Sequence, residues 1–164
     1  MTTARARTCG ARSPTRMRRC RVLGPGSWVL GLLFVAAPIL AQSKPTNYKG
    51  LEITVAGVER ASSVGLKDCP PGSNTVRGLT KPGEEFAIVN LSFKVTPAFK
   101  ETIVKKPVLL DAGGKTFNTA MSFVDPGSIP EYTCGFAYRV PEGTRLGKIQ
   151  IDTTTIDLKA FDKK

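Results

Sequence analysis

In the stretch EEFAIVNLSFKV, residues 84–95, Val89, Leu91, Phe93 and Val95 alternate with Asn90, Ser92 and Lys94. A period of two is what a β-strand shows when one face is buried and the other is wet. Pro97 stops the strand, because a proline nitrogen has no proton to give the ladder. The same alternation recurs upstream, with Leu51, Ile53 and Val55 set against Glu52 and Thr54. It recurs downstream, where Cys134, Phe136, Tyr138 and Val140 alternate with Gly135, Ala137 and Arg139 before a turn at Pro141, Glu142 and Gly143. Residues 146–152, with Ile149 and Ile151 inward, and a last segment carrying Ile156 and Leu158 add two more strands. Residues 108–110 and 115–119 flank Asp111, Ala112, Gly113 and Gly114, residues that suit the tight turn of a hairpin. No helical period is sustained over three turns. The nearest exception, residues 96–105, is short and bracketed by Pro97 and Pro107. The pattern predicts an all-β chain, an antiparallel β-sandwich of about seven strands with little helix.

The first 41 residues follow another logic. An apolar run at residues 28–41 lies behind Arg16, Arg18, Arg19 and Arg21, and small residues precede Gln42. A basic region, a short apolar core and a small residue before the cut make up a secretory signal peptide, with Ala41 as the last residue removed. The run falls short of the roughly 20 apolar residues of a membrane span, so a retained anchor is the alternative. Met17, directly before Arg18, is the expected start of the signal. Arg21 breaks the apolar pattern that would follow a twin-arginine pair, which favours the general secretory route. Gln42 stands where a lipoprotein would need a cysteine. The expected organisation is a signal peptide at 1–41, a polar leader at 42–50 and a β-domain at 51–160, exported to a periplasmic, cell-envelope or extracellular location.

This division reassigns the charge. The formal net charge is +11, yet all seven Arg of residues 1–41 leave with the signal, and residues 42–164 carry 17 Lys and Arg against 13 acids. A balance of +4 gives no nucleic-acid footprint. Cleavage leaves 123 residues, enough for one domain with a hydrophobic core. Cys69 and Cys134 are then the remaining cysteines, and in an oxidising compartment an even pair implies a disulfide, two buried free thiols being the alternative. It would close a loop of 65 residues.

Residues 61–85, rich in Ser, Gly and Pro, exceed the roughly 12 to 15 residues beyond which a structureless connection is unusual. Ser73, Asn74, Arg77 and Lys81 make this the candidate binding loop. Residues 122–131, with Asp125, Pro126, Gly127 and Pro130, form a shorter second loop.

The succession of a first strand, a long loop, EEFAIVNLSFKV, LLDAGGKTF at 109–117 and CGFAYRVPEG at 134–143 resembles a family of exported bacterial immunoglobulin-like domains of unknown function. It is also similar to the small mycobacterial immunoprotective extracellular antigens. Asn90, Asp111 with Gly113 and Gly114, and Val140 with Pro141 stand at the matching places, over residues 51–158. The resemblance implies an immunoglobulin-like sandwich and says almost nothing about activity. An antibody-type domain fits less well. Tyr132 does stand two residues before Cys134, but Cys69 precedes Pro70 and Pro71, and Trp28 lies in the signal. The disulfide is therefore expected to staple a loop to a strand.

Catalytic and metal chemistry find few residues here. The chain has no His, which removes the ordinary Ser-His-Asp and Cys-His sites and His-ligated zinc or copper. Met121 is the only Met after residue 41, so a thioether copper site has no basis. Asp111 could ligate a cation, though an Asp opening this turn is ordinarily a turn residue. Glu84 and Glu85 point to opposite faces if the strand reading holds, and a solvated edge explains them. Lys100, Lys105 and Lys106 could meet an anionic polymer, or protect a sheet edge. Tyr132 and Tyr138 could line a ligand site, or lie in the core. The expectation is a non-catalytic exported module, without cofactor, metal or nucleic acid, that binds a protein or envelope component through its loops. The alternatives are an envelope-acting enzyme or enzyme inhibitor using Glu131 and Asp125, and a membrane-tethered domain with its signal retained.

Overall fold

A computed structural model describes residues 43–72 and 75–163. The signal-peptide expectation, and the positions Ser73 and Asn74, lie outside the described residues. Within them the chain is all-β, with antiparallel pairing throughout its sheets and no helix. Ten strands appear where about seven were expected: β1 (Thr46–Tyr48), β2 (Leu51–Ala61), β3 (Ser63–Leu66), β4 (Val76–Leu79), β5 (Glu84–Val95), β6 (Val108–Asp111), β7 (Thr116–Asn118), β8 (Glu131–Pro141), β9 (Leu146–Ile151) and β10 (Thr154–Asp157).

Four strands form a first sheet in the order β1-β2-β5-β8, four a second in the order β10-β9-β6-β7, and β3 and β4 pair with each other. The alternating residues find one another across the ladders. On β5 and β8, Phe93 lies opposite Tyr132, Leu91 opposite Cys134, Val89 opposite Phe136 and Ala87 opposite Tyr138. All eight are buried. From the second sheet, Leu109, Leu146, Ile149, Ile151 and Ile156 complete the same core. Fully burying a side chain of this size contributes roughly 1.5–3 kcal/mol, so this shared interior is the main favourable term. The sheets also touch along their edges. Thr119 makes a single antiparallel bridge to Tyr138 at one side, and at the other the Tyr48 hydroxyl donates to Asp152 at 3.5 Å.

Four strands correct the sequence reading. β1 occupies part of the expected polar leader: Tyr48, its one large apolar residue, is buried, and Thr46 to Tyr48 pair with β2. β2 continues six residues beyond Val55. A bulge between Val55 and Gly57 inserts Ala56 and lets Val58 face inward opposite Val89, which breaks the simple alternation. The 61–85 connection is not structureless but holds the β3–β4 hairpin. Gly50 and Gly135 are among the glycines that close approach constrains. Gly50, in the β1–β2 turn at φ +90°, leaves no room for a Cβ against the Phe99 backbone. At Gly135 a Cβ would come within 2.7 Å of Asn90 Oδ1, whose amide donates to Glu59 at 2.6 Å.

Candidate functional site

The site is built on the insertion between β2 and β5. β3 and β4 carry short apolar alternations interrupted by Gly65 and Gly78, so they have too little apolar surface for a sheet position of their own. They lie instead over the outer face of β5. A Cβ at Gly78 would meet the Phe86 ring at 3.1 Å, and Arg139 stacks over the same ring, 5.7 Å from its centroid, while donating to the Leu79 carbonyl at 2.8 Å. Phe86 points away from the core yet is only 5% exposed, because the hairpin covers it.

The strap that follows Leu66, residues 67–72, is held by the bridge that the cysteines predicted. Cys69 and Cys134 are disulfide-bonded, with Cα atoms 5.7 Å apart. Such a bond fits an oxidising environment outside the cytoplasm. It joins a loop to a strand, as expected, but both sulfurs belong to the core and neither residue is more than 1% exposed. Cys69 also forms a one-residue parallel bridge to Phe123, its N–H donating to the Ser122 carbonyl at 2.9 Å while its carbonyl accepts from Val124 N–H at 2.8 Å. Phe123 packs on Phe93 and Phe136 at 5.5 Å. The strap and residues 120–124 therefore lie side by side.

Between them runs a groove of about 210 Å³ lined by Leu66, Lys67, Asp68, Val76, Ala120 and Met121. Met121 forms a buried wall, whereas Val76 is 67% exposed and Leu79, further along β4, 60%. Three positions apart on a strand, the two open on opposite faces of the hairpin, and Ile103 in the β5–β6 connection is more exposed still, at 81%. A second cleft, of about 510 Å³, opens at the other end of β4 against Arg60, Lys81, Glu84, Glu85 and Glu142.

Of the residues singled out from sequence, Arg77 lies on β4 and Lys81 in the turn after it, both exposed. The structure does not bring them to one site: Lys81 lines the second cleft, and Arg77 lines neither the cleft nor the groove. Glu84 and Glu85 are not at a solvated edge, since β5 is central between β2 and β8. Glu85 faces inward and meets Arg60 at 2.8 Å, and the same guanidinium bonds Asp162 at 2.7 Å and the Thr144 carbonyl at 2.9 Å. Glu84 faces outward, 3.6 Å from Arg139. Asp111 is a turn residue, its Oδ1 accepting from the Gly113 and Lys115 N–H groups at 2.8 Å. Lys100, Lys105 and Lys106 lie in the β5–β6 connection rather than on an edge strand, and Lys105 pairs with Asp152 at 2.6 Å, which holds that carboxyl below its usual range. Asp125 and Glu131 line neither concavity. Tyr132 and Tyr138 are core residues whose hydroxyls donate to the Pro126 and Pro107 carbonyls. Burial raises the Tyr132 phenol to about 12 and the Tyr138 phenol well above its ordinary value. Among the described residues, no cluster of three His, Cys, Asp or Glu is arranged to hold a metal ion. No helix among them is long and apolar enough to cross a membrane.

The groove itself was not legible in the sequence. Leu66, Val76 and Met121 are separated by up to 55 positions, and only the disulfide hinted that this loop was brought back onto β8. Compared with known proteins, the chain matches no family model, and no curated protein or solved structure resembles it significantly.

Proposed function

We propose that this chain is an exported, non-catalytic module with an immunoglobulin-like β-sandwich fold, which binds a protein or cell-envelope component through the β3–β4 hairpin. The fold reading is supported by connectivity. β5 pairs with β8 in one sheet while β6 pairs with β9, and β9 with β10, in the other. The chain thus crosses between sheets from β5 to β6, from β7 to β8 and from β8 to β9. In an immunoglobulin domain strands B and E, and C, F and G, are paired in the same interlocked way, with β7 here beside the C-like strand. The disulfide departs from that pattern, since it ties β8, the E-like strand, to a loop.

The observation that carries the binding reading is the open aliphatic side chain on each face of β4, Val76 on one and Leu79 on the other, in a hairpin that lies outside the two four-stranded sheets. Loops and insertions on a rigid β-support are where such domains place recognition. Export is supported by the basic and apolar order of residues 16–41 and by the disulfide.

The test is affinity capture from envelope extract with the oxidised protein, alongside a Val76→Asp, Leu79→Asp variant. Both positions are exposed, so the variant should keep its melting temperature and lose the captured partner. Equal capture by both proteins would remove the hairpin from the binding role. N-terminal sequencing of the exported protein should give a start at Gln42, and an intact 28–41 segment would establish the tethered alternative instead.

A further inference from the structure

β4 has one strand neighbour, β3. The register sets Val76 opposite Leu66 and Gly78 opposite Val64, and the Thr80 N–H bond to the Ser62 carbonyl gives the hydrogen-bonding phase. In that phase Val76 and Gly78 direct their main-chain groups at β3, while those of Arg77 and Leu79 face the other way. The Leu79 carbonyl takes an N–H from Arg139. Beside Arg77 no further strand is paired among the described residues.

Side chains alternate along the same edge. Val76 stands at the groove with Leu66, Ala120 and Met121, and about 210 Å³ is room for one aliphatic side chain. Arg77 projects to the opposite face. Lys67, Arg77 and Lys81, all exposed, make no ion pair among the described residues. Lys67 stands at the slot itself and Arg77 on the opposite face of β4, whereas Lys81 lies beyond the strand at the second cleft. Asp68 also lines the slot and opposes an acid placed there, so a partner's acid belongs on the Arg77 face.

We propose that β4 takes an extended acidic segment of a protein partner, added as a strand along its outer edge beside Arg77, with an aliphatic side chain in the groove and a carboxylate at the adjacent position against Arg77. Main-chain pairing gives such a complex its register, and alternate side chains give it selectivity. This rests on the hairpin being the binding element. An anionic bilayer would feel the same cations but has no use for a slot that admits a single side chain.

The probe is a fluorescein-labelled peptide, Thr-Glu-Thr-Glu-Leu-Glu-Thr-Glu-Thr, titrated into the exported, oxidised protein by anisotropy and by amide chemical shifts. Saturable binding is expected, with shifts centred on Leu66, Val76, Arg77 and Met121. Replacing the peptide leucine by serine, or Arg77→Glu in the protein, should weaken it about tenfold. The Arg77→Glu protein should in turn prefer the peptide with lysine for glutamate. Shifts centred away from β4, indifference to the leucine, absence of saturable binding, or phosphatidylglycerol vesicles moving the same amides without competition from peptide would each overturn the inference. If the peptide fails while Val76→Asp, Leu79→Asp still abolishes partner capture, the acidic-strand inference falls and the hairpin reading stands. If capture is also indifferent to that variant, both fall.

Discussion

Arg60 shows how one side chain closes a core. It lies opposite Ala87 on the inward face of β2, where the hydrophobic interior ends, and its guanidinium meets Glu85 of β5, Asp162 near the C-terminus and the Thr144 carbonyl. Asp162 in turn accepts the Leu146 N–H at 2.7 Å, so one cation fastens the chain end to two strands and a turn. Removing one partner of such a group costs more than the intact group contributes, because a carboxylate only 8% exposed is left without its counter-charge. Arg60→Met is therefore expected to lower stability by about 2–3 kcal/mol in urea unfolding, and Asp162→Asn by less. Equal and small losses for both would mean that water screens the group. None of this was legible beforehand, since Arg60, Glu85 and Asp162 are far apart in sequence and the bulge at Ala56 hid the continuation of β2 that turns Arg60 inward.

Among the elements, the disulfide strap has the sharpest consequence. The cross-link restricts an unfolded chain over 65 residues, for which loop-closure entropy gives about 4 kcal/mol. Yet β5 and β8 are paired along their whole length without it. Reduction should therefore act in two stages. The Cys69 and Val124 amides, which bond across the strap, should lose hydrogen-exchange protection first, and the amides of Val89, Leu91 and Phe136 should keep theirs at moderate temperature. Simultaneous loss in both groups would make the bridge part of the core's cooperativity rather than a clamp on the groove. The long strands and the cysteine pair could be read from the sequence because each rests on a dense local pattern or on a chemical bond. β1, β3 and β4 could not, because Tyr48 alone is apolar in β1, and glycines interrupt the hairpin strands. Those elements exist through what they pack on, Phe86 and the β2 edge, which a linear pattern does not contain.

For the folded domain as a whole, the two buried phenols couple stability to alkaline pH. Tyr132 and Tyr138 donate to main-chain carbonyls from inside the core, and burial disfavours their charged forms. In the unfolded chain a tyrosine ionises near pH 10, whereas Tyr132 in the fold does so only near 12. Folding raises the pKa of an acid that is neutral below it, so the stabilisation is complete below about pH 10. It is lost as pH climbs toward the folded value, because the unfolded chain gives up its protons first. Thermal unfolding should thus be nearly flat through neutral pH and fall steadily above about pH 10. Tyr132→Phe separates this cause from lysine titration. It removes one hydrogen bond, at about 1 kcal/mol near neutrality, and also one ionising group, so its melting temperature should decline less steeply with pH than that of the parent. An unchanged alkaline slope in that variant would mean that Tyr132 ionises in the fold as readily as in the open chain, and that its bond to Pro126 does not hold the 122–131 loop against β8.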